Sequence, residues 1–159
     1  MNKQPLQAVC VLTMGKIKGH ILFTETLKGD KVRVTLDLSN VPAGEHGFHI
    51  HRTGDLREGC SSLCSHYNPY NKTHGGRMMK ERHVGDLGNI KPDKNGDVKQ
   101  SFLDSHLRLR GETSILGRSI VIHQDPDDLG LGGDEESKKT GNAGKRIACG
   151  VIGYSKDCP

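Results

Sequence analysis

Residues 31–38, Lys-Val-Arg-Val-Thr-Leu-Asp-Leu, alternate polar and apolar without a break. Successive side chains of a strand point to opposite faces, so this pattern predicts a half-buried antiparallel strand. It also restricts what the remaining chain can be, because one such strand needs partners on both edges and a second layer beneath it. Suitable partners are present. Residues 6–12 and 20–27 read as strands joined by a hairpin through Gly15-Lys-Ile-Lys-Gly19, and residues 45–51, 85–90, 98–109, 119–123 and 147–154 read as further strands. Pro92-Asp-Lys-Asn-Gly-Asp97 marks a turn. No stretch carries a 3.6-residue apolar period. With 21 glycines, 4% aromatics and no Trp, the composition suits short strands and tight turns. The expectation is one all-β domain over residues 1–159, a sandwich or flattened barrel of about eight strands.

The formal charge of +4, from 23 basic and 19 acidic residues, falls short of a nucleic-acid footprint. No apolar run is long enough for a membrane helix. Met-Asn-Lys-Gln-Pro-Leu-Gln at the start has no apolar stretch behind its lysine, so the expectation is a cytoplasmic protein, and Asn71-Lys-Thr73 then reads as an accidental glycosylation sequon. The five cysteines, Cys10, Cys60, Cys64, Cys149 and Cys158, are odd in number, which argues against a disulfide framework while leaving room for one protected bond.

Chemistry concentrates in His46-Gly-Phe-His-Ile-His51 and in two long segments without periodicity, 52–82 and 124–145. On a strand, His49 and His51 share one face while Phe48 and Ile50 face a core; His46 has the opposite parity and a different task. His66, His74, His83 and Asp86 make a spaced set of three imidazoles and one carboxylate, which suits a closed tetrahedral zinc site. His49, His51 and His123 sit at strand ends and offer nitrogens to a second metal, where imidazoles suit copper. Ligand bonds would order a glycine-rich loop that lacks an apolar core of its own. Residues 124–145 read as a solvated acidic lid. Cys60-x-x-x-Cys64 can also be read as a thiolate zinc pair.

The chain resembles the Cu/Zn superoxide dismutase family. The resemblance rests on His46-Gly-Phe-His-Ile-His51-x-x-Gly-Asp55, His66-Tyr-Asn-Pro69, His74-Gly-Gly76, Glu81-Arg-His-Val-Gly-Asp-Leu-Gly-Asn89, Gly117-Arg-Ser-Ile-Val-Ile-His123, Asp127-Asp-Leu-Gly130, Gly132-Gly-Asp-Glu-Glu-Ser137 and Lys139-Thr-Gly-Asn-Ala-Gly-Lys-Arg-Ile-Ala-Cys-Gly-Val-Ile-Gly153. Together these span almost the whole chain. The resemblance implies an eight-stranded Greek-key barrel with two functional loops and a copper- and zinc-dependent oxidoreductase acting on superoxide. It implies copper held by His49, His51, His66 and His123, and zinc held by His66, His74, His83 and Asp86, with His66 shared. His46 matches the family's bracing histidine. Asp127 matches the carboxylate that joins His49 to His74.

The same resemblance implies a Cys60–Cys149 disulfide, Arg146 as the residue that docks superoxide, Lys139 and Thr140 at the channel rim, and Glu135 and Glu136 shaping its field. Lys138 and Lys145 stand where many relatives are neutral. One departure is Cys64-Ser65, where the family has Gly-Pro before the shared histidine. His20 and His106 match nothing functional, Cys10 reads as a core residue, and Cys158 as exposed. A homodimer is implied through Gly54, Gly117, Val151 and Ile152, weakened by Arg52 and Thr53. A copper chaperone is an implied partner. A family-related alternative is a copper-delivery or non-catalytic zinc module.

Overall fold

The computed structural model describes residues 3–156, so Cys158 lies outside the described residues. Its strands are β1 (Gln7–Val11), β2 (Met14–Gly15), β3 (Lys18–Glu25), β4 (Val32–Ser39), β5 (His46–His51), β6 (Asp86–Ile90), β7 (Val98–Asp104), β8 (Ser119–His123) and β9 (Arg146–Tyr154). One antiparallel path runs β6-β5-β8-β9-β1-β3-β4-β7, with β2 added beside β9. The eight long strands form a nearly closed barrel. The first half of β9 pairs with β8 from Ser119↔Val151 onward, and its end pairs with β1 through Cys10↔Ile152, so a single strand joins the two faces. The crossover from β4 to β5 and the return of β7 beside β4 give the Greek-key order.

β4 shows the alternation its sequence carries: Val32, Val34, Leu36 and Leu38 are buried and the residues between them are more open. These valines and leucines join Ala8, Ile21, Phe23, Phe48, Ile50, Ile120, Ile122, Ala148 and Ile152 in one continuous core. β5 and β8 are different, being buried at every position. One face of each packs on that core. The other face is roofed by the two long loops, and there the histidines lie.

The strand expected over 98–109 stops at Asp104. The Asp104 Oδ1 accepts the backbone N–H groups of His106 and Leu107, which turns the chain out of the sheet. The segment 124–145 is exposed over most of its length, as expected of a solvated lid, but it is firmly tied down. Gln124 N–H donates to Lys145 O, Asp125 N–H to Ala143 O, and Asp128 N–H to Gly141 O. Asp128 further accepts Ser137 Oγ, Gly130 N–H and Asn142 Nδ2, so this acidic residue is spent on holding the loop shut. His74 N–H donates to Lys138 O and ties the two loops together.

Candidate metal centre

The register of β5 places the donors. Asp86, at the start of β6, lies directly across from His49, with a bulge between Gly47 and His49. An isolated bridge pairs His51 with His66, anchoring the first loop to the strand. His123 ends β8 where the pairing with β9 turns irregular and Arg146 lies opposite. Strand parity puts His49, His51 and His123 on the roofed face. His46, on the core side, faces the carbonyl oxygens of His123 and Pro42 at 2.9 and 2.8 Å.

Two groups of ligand atoms result, each within 4.8 Å of one another and all buried: His49, His51, His66 and His123; and His49, His66, His74 and Asp86. His83 adds to the second group, its Nδ1 lying 3.2 Å from both His66 Nδ1 and Asp86 Oδ1. His49 falls within range of both groups, but its Nε2 is committed to Asp127 Oδ2 at 2.7 Å, which leaves one nitrogen for one metal. His83 therefore completes the second group better than His49 does. His20 and His106 join neither group among the described residues.

The hydrogen bonds on the outer side of each ring show what its inner side can do. His51 Nδ1 donates to Cys64 O at 2.7 Å and His123 Nδ1 to Gly144 O at 2.9 Å. Carbonyls only accept, so both rings carry their proton on Nδ1. Their Nε2 atoms then face each other at 3.3 Å as bare lone pairs. His49 Nδ1 and His74 Nδ1 are likewise buried without a hydrogen-bond partner. Asp86 Oδ1 lies 2.9 Å from His74 Nδ1 but too far off line to accept from it. Bare lone pairs packed this closely repel unless a cation lies among them. A tetrahedral ion with bonds of roughly 2.0–2.1 Å holds its donors about 3.3 Å apart. The spacings here, from 2.9 to 3.3 Å, fit that requirement.

Electrostatics point the same way for four of the rings. Burial holds His49 and His51 well below the ordinary histidine range and lowers His66, and it lowers His123 to about 4, so these rings are neutral and keep their lone pairs. His74 runs the other way and is raised to about 9: burial opposes its charge, but the hydrogen bond to Asp127 and the Asp86 carboxylate 2.9 Å from its Nδ1 outweigh it. Asp86 is held far below the usual carboxylate range; burial opposes its charge, and the hydrogen bonds from His66 and His83 together with the nearby His74 ring overcome it. Its Oδ2 accepts Gly75 N–H and His83 N–H, leaving Oδ1 for the group it faces.

Asp127 is the strut between the two groups, receiving His49 Nε2 and His74 Nε2 at 2.7 Å each. Asn89 fixes the strut by accepting Asp127 N–H at 2.7 Å and donating to Asp127 O at 2.9 Å. Gly141, with φ +71, passes so close that a Cβ there would strike Asp127 Oδ1 and His74 Nε2. A second strut escaped sequence reasoning. Arg82, 2% exposed, donates to the carbonyls of Arg77, His83 and Val84 and to Asp104 Oδ2 at 2.7 Å. In the sequence it is one of many charged residues, and nothing in its neighbours marks it as internal.

Above His51, His66 and His123 opens a cleft of about 630 Å³ walled by Glu136, Lys139, Thr140 and Arg146. Thr140 Oγ1 donates to Glu136 Oε1 at 2.9 Å. Arg146 Nη1 and Nη2 donate to Cys60 O and Cys64 O at 2.8 and 2.6 Å. Burial lowers its guanidinium below its usual value, yet an arginine remains cationic at any physiological pH.

Cys60 and Cys149 form a disulfide with a Cα–Cα distance of 5.9 Å. The alternative of a Cys60/Cys64 zinc pair is thereby overturned, because Cys60 has no thiolate to give. Cys64 is a free thiol held at φ +65, a conformation that favours glycine, while its carbonyl serves both His51 and Arg146. Cys10 is buried in the core.

The family described as copper/zinc superoxide dismutase matches residues 17–152. The superoxide dismutase [Cu-Zn] of Paramecium bursaria Chlorella virus 1 is 55% identical over 155 residues, covering 97% of this chain and 81% of that protein. That of Cordyceps militaris is 51% identical over 152 residues, covering 94% and 99%. The extracellular superoxide dismutase [Cu-Zn] of Drosophila melanogaster is 46% identical over 158 residues, covering 96% and 87%. The solved structure titled clock protein EA4 superposes with a TM-score of 0.91 at 44% identity, covering 96% of this chain and 97% of that one. Barrel, donor groups and these likenesses lead to one conclusion: the chain belongs to the copper/zinc superoxide dismutase family.

Proposed function

We propose that this chain is a superoxide dismutase, converting two superoxide ions and two protons into oxygen and hydrogen peroxide. In this reading His49, His51, His66 and His123 hold copper, and His66, His74, His83 and Asp86 hold zinc. Copper, when bound, supplies a one-electron couple that superoxide can reduce and reoxidise, while zinc supplies fixed charge. Arg146 draws the anion to the cleft floor and orients it with directed N–H donors. Lys139 and Thr140 line the approach, and Glu136 and Glu135 shape its field. His66 Nε2 is the atom that takes up and releases a proton, since Nδ1 stays on the Asp86 side.

The observation that carries this reading is the set of buried inner nitrogens that have no protein partner of their own. Nothing among the described residues favours the alternative of a non-catalytic metal module, since the four inward imidazoles and Arg146 are all present. The test is His66→Ala. It is expected to fold, to lose paired copper and zinc binding, and to lose most dismutation. Full activity in that variant would refute a shared His66.

The further parts of the reading are a single domain over residues 1–159, a homodimer, cytoplasmic location and copper loading by a helper protein. Support for the dimer comes from an apolar patch where β1 meets β9. Val11 is exposed on the outer face of β1, and the register sets Val9, on that same face, against Gly153. Gly54 packs so tightly on Gly117 O and Val151 that this wall accepts no larger residue. Among the described residues no helix is long and apolar enough to cross a membrane.

A further inference from the structure

We propose that a basic groove outside the metal cleft binds small polyanions carrying two or more phosphate or sulfate groups. The groove, about 340 Å³, lies between the N-terminal segment, the turn from β3 to β4 and residues 108–110. Lys3, Lys28, Arg108 and Arg110 line it, with Glu25 as the one carboxylate, a local formal charge of +3. Glu25 is already spent: its oxygens accept Arg110 Nε at 3.0 and 3.1 Å, and Oε2 also accepts Leu6 N–H at 2.8 Å.

The other cations have no carboxylate at salt-bridge distance among the described residues, although the Thr26 hydrogen bond, joined by the charges of Lys31 and Lys28, holds Asp30 below the usual carboxylate range. Arg108 Nη1 donates to Ser105 O and Leu107 O, which fixes the guanidinium without cancelling its charge. Among the described residues Lys3, Lys28 and Arg108 form no ion pair. The acidic residues nearest in sequence, Asp30 and Glu112, do not line the groove, and Asp30 is held by Thr26 Oγ1 at 2.9 Å. A fixed arginine fork beside lysines matches the geometry of phosphate and sulfate oxygens. The groove shares no lining residue with the metal cleft, so occupancy leaves dismutation unchanged.

The test is isothermal titration of the metal-loaded protein with inorganic tripolyphosphate and, separately, with a fully sulfated disaccharide, at low and at physiological ionic strength. One site per chain is expected, weakening as salt screens the exposed charges. Whichever probe binds more tightly identifies phosphate or sulfate as the natural group. Lys28→Glu, which alters an exposed side chain, and Arg108→Gln are each expected to weaken binding roughly tenfold or more while dismutation stays at wild-type level. Absence of binding at low ionic strength, equal affinity in both variants, or binding that inhibits dismutation would overturn the proposal. The last outcome would place the anion in the Arg146 cleft instead. Because dismutation is followed in the same samples, failure of the proposed activity is distinguished from failure of the groove.

Discussion

Arg82→Met removes a cation from the interior while keeping its length and much of its apolar stem. Four interactions disappear with it: those to the carbonyls of Arg77, His83 and Val84 and to Asp104 Oδ2. Asp104, whose side chain is 2% exposed, is left without its counter-charge, although His106 N–H and Leu107 N–H still reach its other oxygen. Breaking one side of a buried pair costs about 3–5 kcal/mol, most of it the cost of stranding the remaining charge. At roughly 2–4 °C per kcal/mol for a chain of this length, the thermal midpoint should fall by roughly 6–20 °C. The assay is urea unfolding of the disulfide-intact, metal-free protein, comparing midpoints at constant slope. The second half of the test is the double variant Arg82→Met with Asp104→Leu, which strands no charge and should recover part of the loss. A loss below about 1 kcal/mol in Arg82→Met, or a double variant less stable than either single, would refute the claim that this pair holds the metal loop to the barrel.

Gly141→Ala should weaken metal retention roughly 10- to 100-fold, because the added methyl displaces the Asp127 strut from His74; competition with a zinc chelator measures it, and unchanged retention would contradict the crowding. Cys149→Ser opens a loop with a sequence separation of 89 and should cost about 4–5 kcal/mol in the chain-entropy picture, read from unfolding midpoints; a loss under 1 kcal/mol would contradict a structural role. Burial pushes the Cys10 thiol up to about 12 from an ordinary 9.0. The stability gained by keeping it protonated is therefore present below about pH 9 and is lost as pH rises toward 12. Alkylation of the native protein at pH 8 should label Cys64 and spare Cys10, and equal labelling of both would show that the core is open.

Why some of this was readable and some was not follows from the physics of each segment. The alternation in β4 is legible because one face meets water. β5 and β8 hide that signal, since loops roof their second face and every position is buried. His49 and His51 could be assigned to one side by parity alone. The convergence of His66, His74 and His83 could not, because loops have no period; there the resemblance of motifs supplied what spacing could not. The end of β7 was overread since Asp104, which turns the chain, looks like an ordinary surface acid. The same disguise hid Arg82, whose partner is 22 residues away in sequence. The solvation of the lid was legible from its charge, but its order was not, because Asp127 and Asp128, which organise it, look like the exposed acids around them.

The central claim is that two donor groups sharing His66 hold two different metals and that the copper side turns over superoxide. Metal content per chain and stopped-flow superoxide decay, measured on one preparation, test it most directly. The account predicts one copper and one zinc per chain, with decay rate proportional to bound copper. A single metal at saturation, or full copper loading with no acceleration of superoxide decay, would contradict it.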